Sequence, residues 1–246
     1  MKRTWLLLLL LAFLGLRGGW FPAAGLCQDG MDVMEERRLA MVAEQIEARG
    51  VSAPRVLEAM RRAERHLFVP DSQVPFAYDD RPLPIGHGQT ISQPYIVALM
   101  TELIRPQPPF KVLEIGAGSG YQAAVLAELV EEVYTVEIIA PLAKWAEARL
   151  AAAGYENVMV KQADGYYGWE EHAPFDAVVV TAATPHIPPP LIEQLKDGGR
   201  MIIPVGSRFR VQQLVLVEKE KGELTTRNML PVRFVPFTRG DDAGVR

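Results

Sequence analysis

The sequence predicts an α/β fold built on a doubly wound, mostly parallel sheet, and three observations carry that prediction. From residue 93 onward, short and nearly continuous apolar segments alternate with segments of helical periodicity, the pattern of parallel strands covered on both faces by crossing helices. The first of these apolar segments runs straight into a glycine-rich turn that opens a helix. The last two strand-like segments follow each other with no helix between them, which implies an antiparallel edge.

A small helical addition precedes the alternation. Met34, Leu39, Val42 and Ile46 recur at roughly helical spacing across residues 34–48, and Gly50 is a natural stop. Ser52 reads as the cap of a second helix, with Pro54 near its first turn and Val56, Leu57 and Met60 on one face. Residues 71–89 are rich in Pro, Gly and Asp and read as an ordered loop. Strands are then expected at 111–115, 132–137, 157–161, 175–181 and 199–204, with helices at 121–130, up to Leu150 and at 189–195. Strands at 212–219 and 230–235 close the sheet. No repeat or linker divides the chain, so residues 31–246 are expected to form a single domain.

The first 30 residues stand apart. Lys2 and Arg3 precede an apolar run at 5–16, and Ala23-Ala24-Gly25 offers small residues for cleavage, the layout of a secretory leader. The run is shorter than the roughly 20 apolar residues that span a bilayer. Met31 and Met34 lie just before the first amphipathic segment, and a start at either would leave the leader untranslated. Export or tethering through residues 1–25 is the alternative to a cytoplasmic protein.

Composition narrows the partners. A net charge of -4 offers no basic field for phosphates, so no nucleic-acid partner is expected. Cys27 is the only cysteine, and His66, His87, His172 and His186 are scattered without ligand spacing. No metal is expected.

The glycine-rich turn reads Glu114-Ile115-Gly116-Ala117-Gly118-Ser119-Gly120. Its position, after a strand and before a helix, is where a Rossmann-like sheet brings backbone close to a ligand. Gly116, Gly118 and Gly120 give G-x-G-x-G rather than the dinucleotide spacing G-x-G-x-x-G. A carboxylate at Glu114 would repel a pyrophosphate but suits the ammonium of a methionine moiety. S-adenosylmethionine is therefore favoured over a nicotinamide cofactor. Glu137, ending the second strand, is placed to accept the ribose hydroxyls. Asp164, after the third, is placed to accept the adenine amine, with Gly165 allowing close approach.

Strand 175–181 runs out into Thr181-Ala182-Ala183 and supplies no Asp, Asn or aromatic group. That absence fits an acceptor that is already an anion, such as a carboxylate, and needs no general base. The remaining distinctive segment is Leu83-Pro84-Ile85-Gly86-His87-Gly88-Gln89-Thr90-Ile91-Ser92-Gln93-Pro94. On local principles alone, Ser92 reads as the N-cap of the following helix.

With Ala77-Tyr78 before it, that segment resembles the protein-L-isoaspartate O-methyltransferase family. The resemblance continues through Val112-Leu113-Glu114-Ile115-Gly116-Ala117-Gly118-Ser119-Gly120-Tyr121-Gln122 and Ala173-Pro174-Phe175-Asp176. It ends at Phe234-Val235-Pro236 and covers residues 34–237. The resemblance implies methylation of the free carboxylate of L-isoaspartyl residues in damaged proteins and peptides, by a cytosolic enzyme expected to be a monomer. It places the family's active-site serine on Ser92, whose hydroxyl would hold the substrate carboxylate. It also implies that Ile85, Gly86, Gln89 and Thr90, with Val235 and Pro236, bind the peptide. Ala117, Ala163 and Phe237 stand where the family often has Thr, Gly and Leu.

Overall fold

The computed structural model describes residues 32–207 and 210–240, which fall in one compact unit. The leader expected at residues 1–30 lies outside the described residues.

The N-terminal addition comprises α1 (Val33–Ala40), a wider π-type stretch (Met41–Ile46), a 3-10 turn (Glu47–Arg49) and α2 (Pro54–Arg62). Gly50, at φ 95°, ends the first run in the left-handed conformation expected of a glycine stop. The cap of α2 is not Ser52. Ala53 is the N-cap, and the amides of Ser52 and Ala53 both donate to Glu102 Oε1, each at 2.7 Å. A carboxylate on another helix thus takes the place of a local hydroxyl.

The segment read as a loop holds a 3-10 turn (Asp71–Phe76) and a hairpin of β1 (Leu83–Gly86) and β2 (Gln89–Ile91). Gly86, His87 and Gly88, all at positive φ, make its turn. The hairpin leads into α3 (Pro94–Leu103).

The main body follows in order: β3 (Lys111–Ile115), α4 (Tyr121–Ala127), β4 (Glu132–Glu137), α5 (Ala140–Ala152) and β5 (Val158–Gln162). Then come β6 (Phe175–Val180), α6 (Pro189–Glu193), β7 (Leu195–Val205), β8 (Gln212–Glu220) and β9 (Glu223–Val232). The seven-stranded sheet has the order β5-β4-β3-β6-β7-β8-β9. β5, β4, β3, β6 and β7 are parallel; β8 and β9 add the antiparallel edge. The expected mostly parallel fold is therefore what the chain adopts. Strand order reverses between β3 and β6, and such a switch point opens a crevice at the carboxyl ends of the strands.

Side chains alternate across the sheet, as a two-residue repeat requires. Val112 and Val179 pack with the helical addition, while Leu113 and Val178 pack against the opposite core that includes Leu191. No helix among the described residues is long and apolar enough to cross a membrane.

Candidate active site

Three connected hollows lie at the carboxyl ends of the parallel strands, and Thr90 and Thr181 belong to all three. The first is a cleft of about 540 Å³ walled by Gly116, Gly118, Glu137, Gly165 and the segment from Val235 to Thr238. The second is a groove of about 890 Å³ between the start of α3 and residues 230–235, reached by Arg49, Ser92, Tyr95 and Arg233. The third, of about 320 Å³, lies behind the glycine turn and brings Ser92 beside Glu114, Gly116 and Gln122.

The glycine turn is shaped by conformation as well as by space. Gly116 has φ 98°, and a Cβ there would lie 2.5 Å from Thr181 Oγ1. Thr181 cannot easily yield, because its hydroxyl is shared between the carbonyls of Ile115 (2.9 Å) and Gly116 (2.7 Å). Gly120 does not line any of the three hollows. It is the N-cap of α4, and a Cβ there would meet Leu150 at 3.2 Å. Its smallness serves packing of the turn on α5 rather than contact with a ligand.

Glu137 is buried and aimed back at the turn. Its Oε2 accepts from Gly118 N at 2.8 Å and its Oε1 from Ile139 N at 2.9 Å. Burial raises its pKa, and those backbone donors pull it the other way. Each oxygen keeps a second lone pair toward the cleft, so the geometry leaves room for two hydroxyl donors. Glu137→Ala is expected to weaken S-adenosylhomocysteine binding at least about tenfold, since it removes charge-assisted bonds together with the anchor of Gly118. Calorimetry showing wild-type affinity would take Glu137 out of the cofactor's reach.

Glu114 changes the electrostatic argument that the sequence suggests. It is fully buried; Thr135, its register partner on β4, donates to Oε2 at 2.5 Å, and Oε1 has no partner among the described residues. Burial pushes its pKa up to about 8, so in the ligand-free protein at neutral pH the group is predominantly a neutral acid. An approaching ammonium would draw the proton off and restore the charge. The folded state therefore holds a proton that the unfolded chain releases above about pH 4.5, so stability falls as pH rises from there to about 8. Urea midpoints of the ligand-free protein at both ends of that window are expected to show this decline. Glu114→Gln should flatten it, and an equal decline in the variant would assign the effect to other groups.

Asp164 lies two residues beyond β5, at the start of a 3-10 turn, and does not line the cleft; its neighbour Gly165 does. Asp164 Oδ1 accepts from Tyr166 N at 3.0 Å, and Oδ2 accepts from Arg239 Nε at 2.9 Å and Gly240 N at 3.2 Å. One lone pair on Oδ1 remains for an adenine amine.

Ser92 is not the N-cap of α3. Gln93 holds that position without a side-chain cap bond, and the Ser92 hydroxyl has no hydrogen-bond partner among the described residues. It is left available where the groove meets the inner hollow.

Of the positions expected to bind peptide, Gln89, Thr90, Val235 and Pro236 line the cleft. Ile85 and Gly86 line none of the three hollows. Ile85 is buried, with Cδ1 3.4 Å from where a Gly118 Cβ would sit, and so supports the turn from behind. Gly86 instead turns the hairpin at φ 89°.

Several wall residues had no distinguishing sequence signal. Arg49 pairs with Asp80 at 3.0 Å and stacks on Tyr95 at 3.6 Å, while Gln93 donates to Asp80 Oδ1 at 2.8 Å. Among the described residues, the groove lining contains Arg49 and Arg233 and no Asp, Glu or His. No group of three or more potential metal ligands occurs among the described residues.

Comparison with known proteins supplies the context for this geometry. Residues 36–242 match the profile of the protein-L-isoaspartate(D-aspartate) O-methyltransferase family. A protein-L-isoaspartate O-methyltransferase 2 from Polaromonas sp. is 65% identical over 185 residues, 75% of this chain and 88% of the relative. A protein-L-isoaspartate O-methyltransferase 1 from Nitrosospira multiformis is 58% identical over 209 residues, 84% of this chain and 89% of the relative. A solved protein-L-isoaspartate O-methyltransferase superimposes with a TM-score of 0.76 at 30% identity, covering 85% of this chain and 67% of its own. A Plasmodium falciparum structure described as a putative protein-L-isoaspartate O-methyltransferase in complex with S-adenosyl-L-homocysteine has the same fold. Its TM-score is 0.72 at 24% identity, covering 82% of this chain and 98% of that one.

Proposed function

The chain belongs to the protein-L-isoaspartate(D-aspartate) O-methyltransferase family, and from that premise we infer how its three connected hollows divide one reaction. The enzyme transfers a methyl group from S-adenosylmethionine to the carboxylate of L-isoaspartyl residues in damaged proteins. The methyl ester can then re-close to a succinimide, whose hydrolysis returns part of it to normal aspartate. The observation that carries the assignment of roles is the groove lining, which among the described residues holds two arginines and no general base. A hydroxyl or amine acceptor must lose a proton; a carboxylate need not.

The cleft fits the cofactor on its own chemistry. Gly116 and Gly118 leave backbone exposed to a ligand and Glu137 presents two buried acceptors, while in the adjoining inner hollow Glu114 Oε1 is a buried oxygen without a partner among the described residues. Gly116 and Gly118 would cradle the amino-acid part, Glu137 the ribose, and Gly165 and the Asp164 edge the adenine. When bound, the sulfonium supplies an electrophilic methyl group. Ser92 holds the substrate carboxylate by its free hydroxyl and aims one oxygen along the line of transfer. Arg233 favours an anionic peptide segment, while the charge of Arg49 is offset by its pair with Asp80. Gln89, Thr90, Val235 and Pro236 close the junction against water, so the opposite charges neutralise each other in a dry site. We place this activity in the cytosol, where the cofactor is made, with the enzyme acting as a monomer.

The test uses labelled S-adenosylmethionine and two synthetic peptides, identical except for isoaspartate or aspartate at one position. Base-labile methyl ester on the isoaspartyl peptide alone is expected. Binding of the cofactor without transfer to either peptide would demand another acceptor.

A further inference from the structure

The chain beyond Pro236 takes a path that the reaction scheme does not use. Ala183 N donates to Val235 O and Phe237 N to Ala183 O, each at 2.9 Å, which fixes this segment beside the end of β6. Two residues later, Arg239 Nε and Gly240 N both reach Asp164 Oδ2, just beyond the end of β5. In the sheet, β6 and β5 are separated by β3 and β4. The segment therefore crosses the ends of the two strands that carry the glycine turn and Glu137. Phe237 and Thr238 line the cleft on the way. Phe237 Cζ lies 3.6 Å from where a Gly165 Cβ would be, an ordinary contact distance that places the ring directly over Gly165.

The far end is held by one side chain in two ways. The Arg239 guanidinium donates to Asp164 and stacks over the Tyr166 ring at 3.8 Å, with the Tyr167 ring at 5.4 Å. A planar guanidinium can do both at once, which a lysine cannot. Arg239 is 38% exposed, so water and salt reach the pair and it can open without unfolding anything else.

We propose that residues 237–240 form a strap across the cofactor cleft and that Arg239 is the positioning residue that latches it, so that cofactor exchanges only while the Arg239–Asp164 pair is open. This rests on the reading of the cleft as the S-adenosylmethionine site. It assigns Asp164 a second duty, as the catch of the latch, and makes cofactor retention a property of the chain's C-terminal end.

Stopped-flow competition on the full chain tests the strap through the release of S-adenosylhomocysteine. Loss of a charged bond and a stacked cation makes release from Arg239→Ala about tenfold faster. The KM for S-adenosylmethionine rises with it, while the single-turnover rate at saturating cofactor stays within about twofold. In the wild type, raising salt toward 1 M, where the screening length falls to about 3 Å, speeds release; in the variant it does not. Unchanged release from Arg239→Ala, or equal salt sensitivity in both proteins, would overturn the latch. A wild-type chain that fails to bind S-adenosylhomocysteine would overturn the cofactor reading beneath it, an outcome distinct from either.

Discussion

Gly116→Ala is expected to cost most of the cofactor affinity, about a hundredfold or more in the S-adenosylhomocysteine dissociation constant. Two separate penalties add. A non-glycine residue held in the left-handed region loses about 1–2 kcal/mol, and Gly116 sits at φ 98°. The new methyl would also lie 2.5 Å from Thr181 Oγ1, whose hydroxyl is held by two carbonyls of the same turn. Relief requires the turn to move out of the cleft wall it forms; with a total near 3 kcal/mol, each 1.4 kcal/mol is tenfold in affinity. The two penalties can be separated. Thr181→Ala removes the clash and leaves the backbone strain, so the double variant should recover part of the lost affinity, an interaction energy that a double-mutant cycle reads directly. Calorimetry that found Gly116→Ala binding like the wild type would show that the turn does not contact the cofactor.

Ser92→Ala is expected to lower kcat/KM for an isoaspartyl peptide by about tenfold to a hundredfold, the worth of a hydrogen bond to a charged group. Cofactor affinity and thermal stability should stay at wild-type levels, because the hydroxyl caps no helix and has no partner among the described residues. The local capping role makes the opposite forecast, full activity with about 1 kcal/mol less stability. Peptide kinetics and a melting curve on the same preparation decide between them. Full turnover by Ser92→Ala would remove Ser92 from the reaction.

The sequence by itself determined the strand and helix alternation, the antiparallel edge, the glycine turn and the family. Each of these is written in neighbouring residues: burial on both faces makes the run 177–180 within β6 continuously apolar, and a turn at positive φ calls for glycine wherever it lies. Ends were legible for strands bounded by their own residues, such as Lys111–Ile115. The edge strand expected at 230–235 in fact runs Glu223–Val232, because its exposed polar first half carries no apolar signal and is held by pairing with β8. The caps at Ser52 and Ser92 misled because a capping hydroxyl competes with partners from elsewhere, here Glu102 for the start of α2.

Tertiary structure decided the rest. Thr181 meets Gly116 only because β6 pairs with β3, 65 residues apart in sequence. Arg239 reaches Asp164 across 75 residues, and Arg49 enters the groove through Tyr95 and Asp80. The charge state of Glu114 is the clearest case. Nothing in Leu113-Glu114-Ile115 distinguishes a carboxylate facing solvent from one fully buried against Thr135, whose hydroxyl donates to it. A pKa depends on what surrounds the group, and those surroundings come from other strands once the sheet has closed.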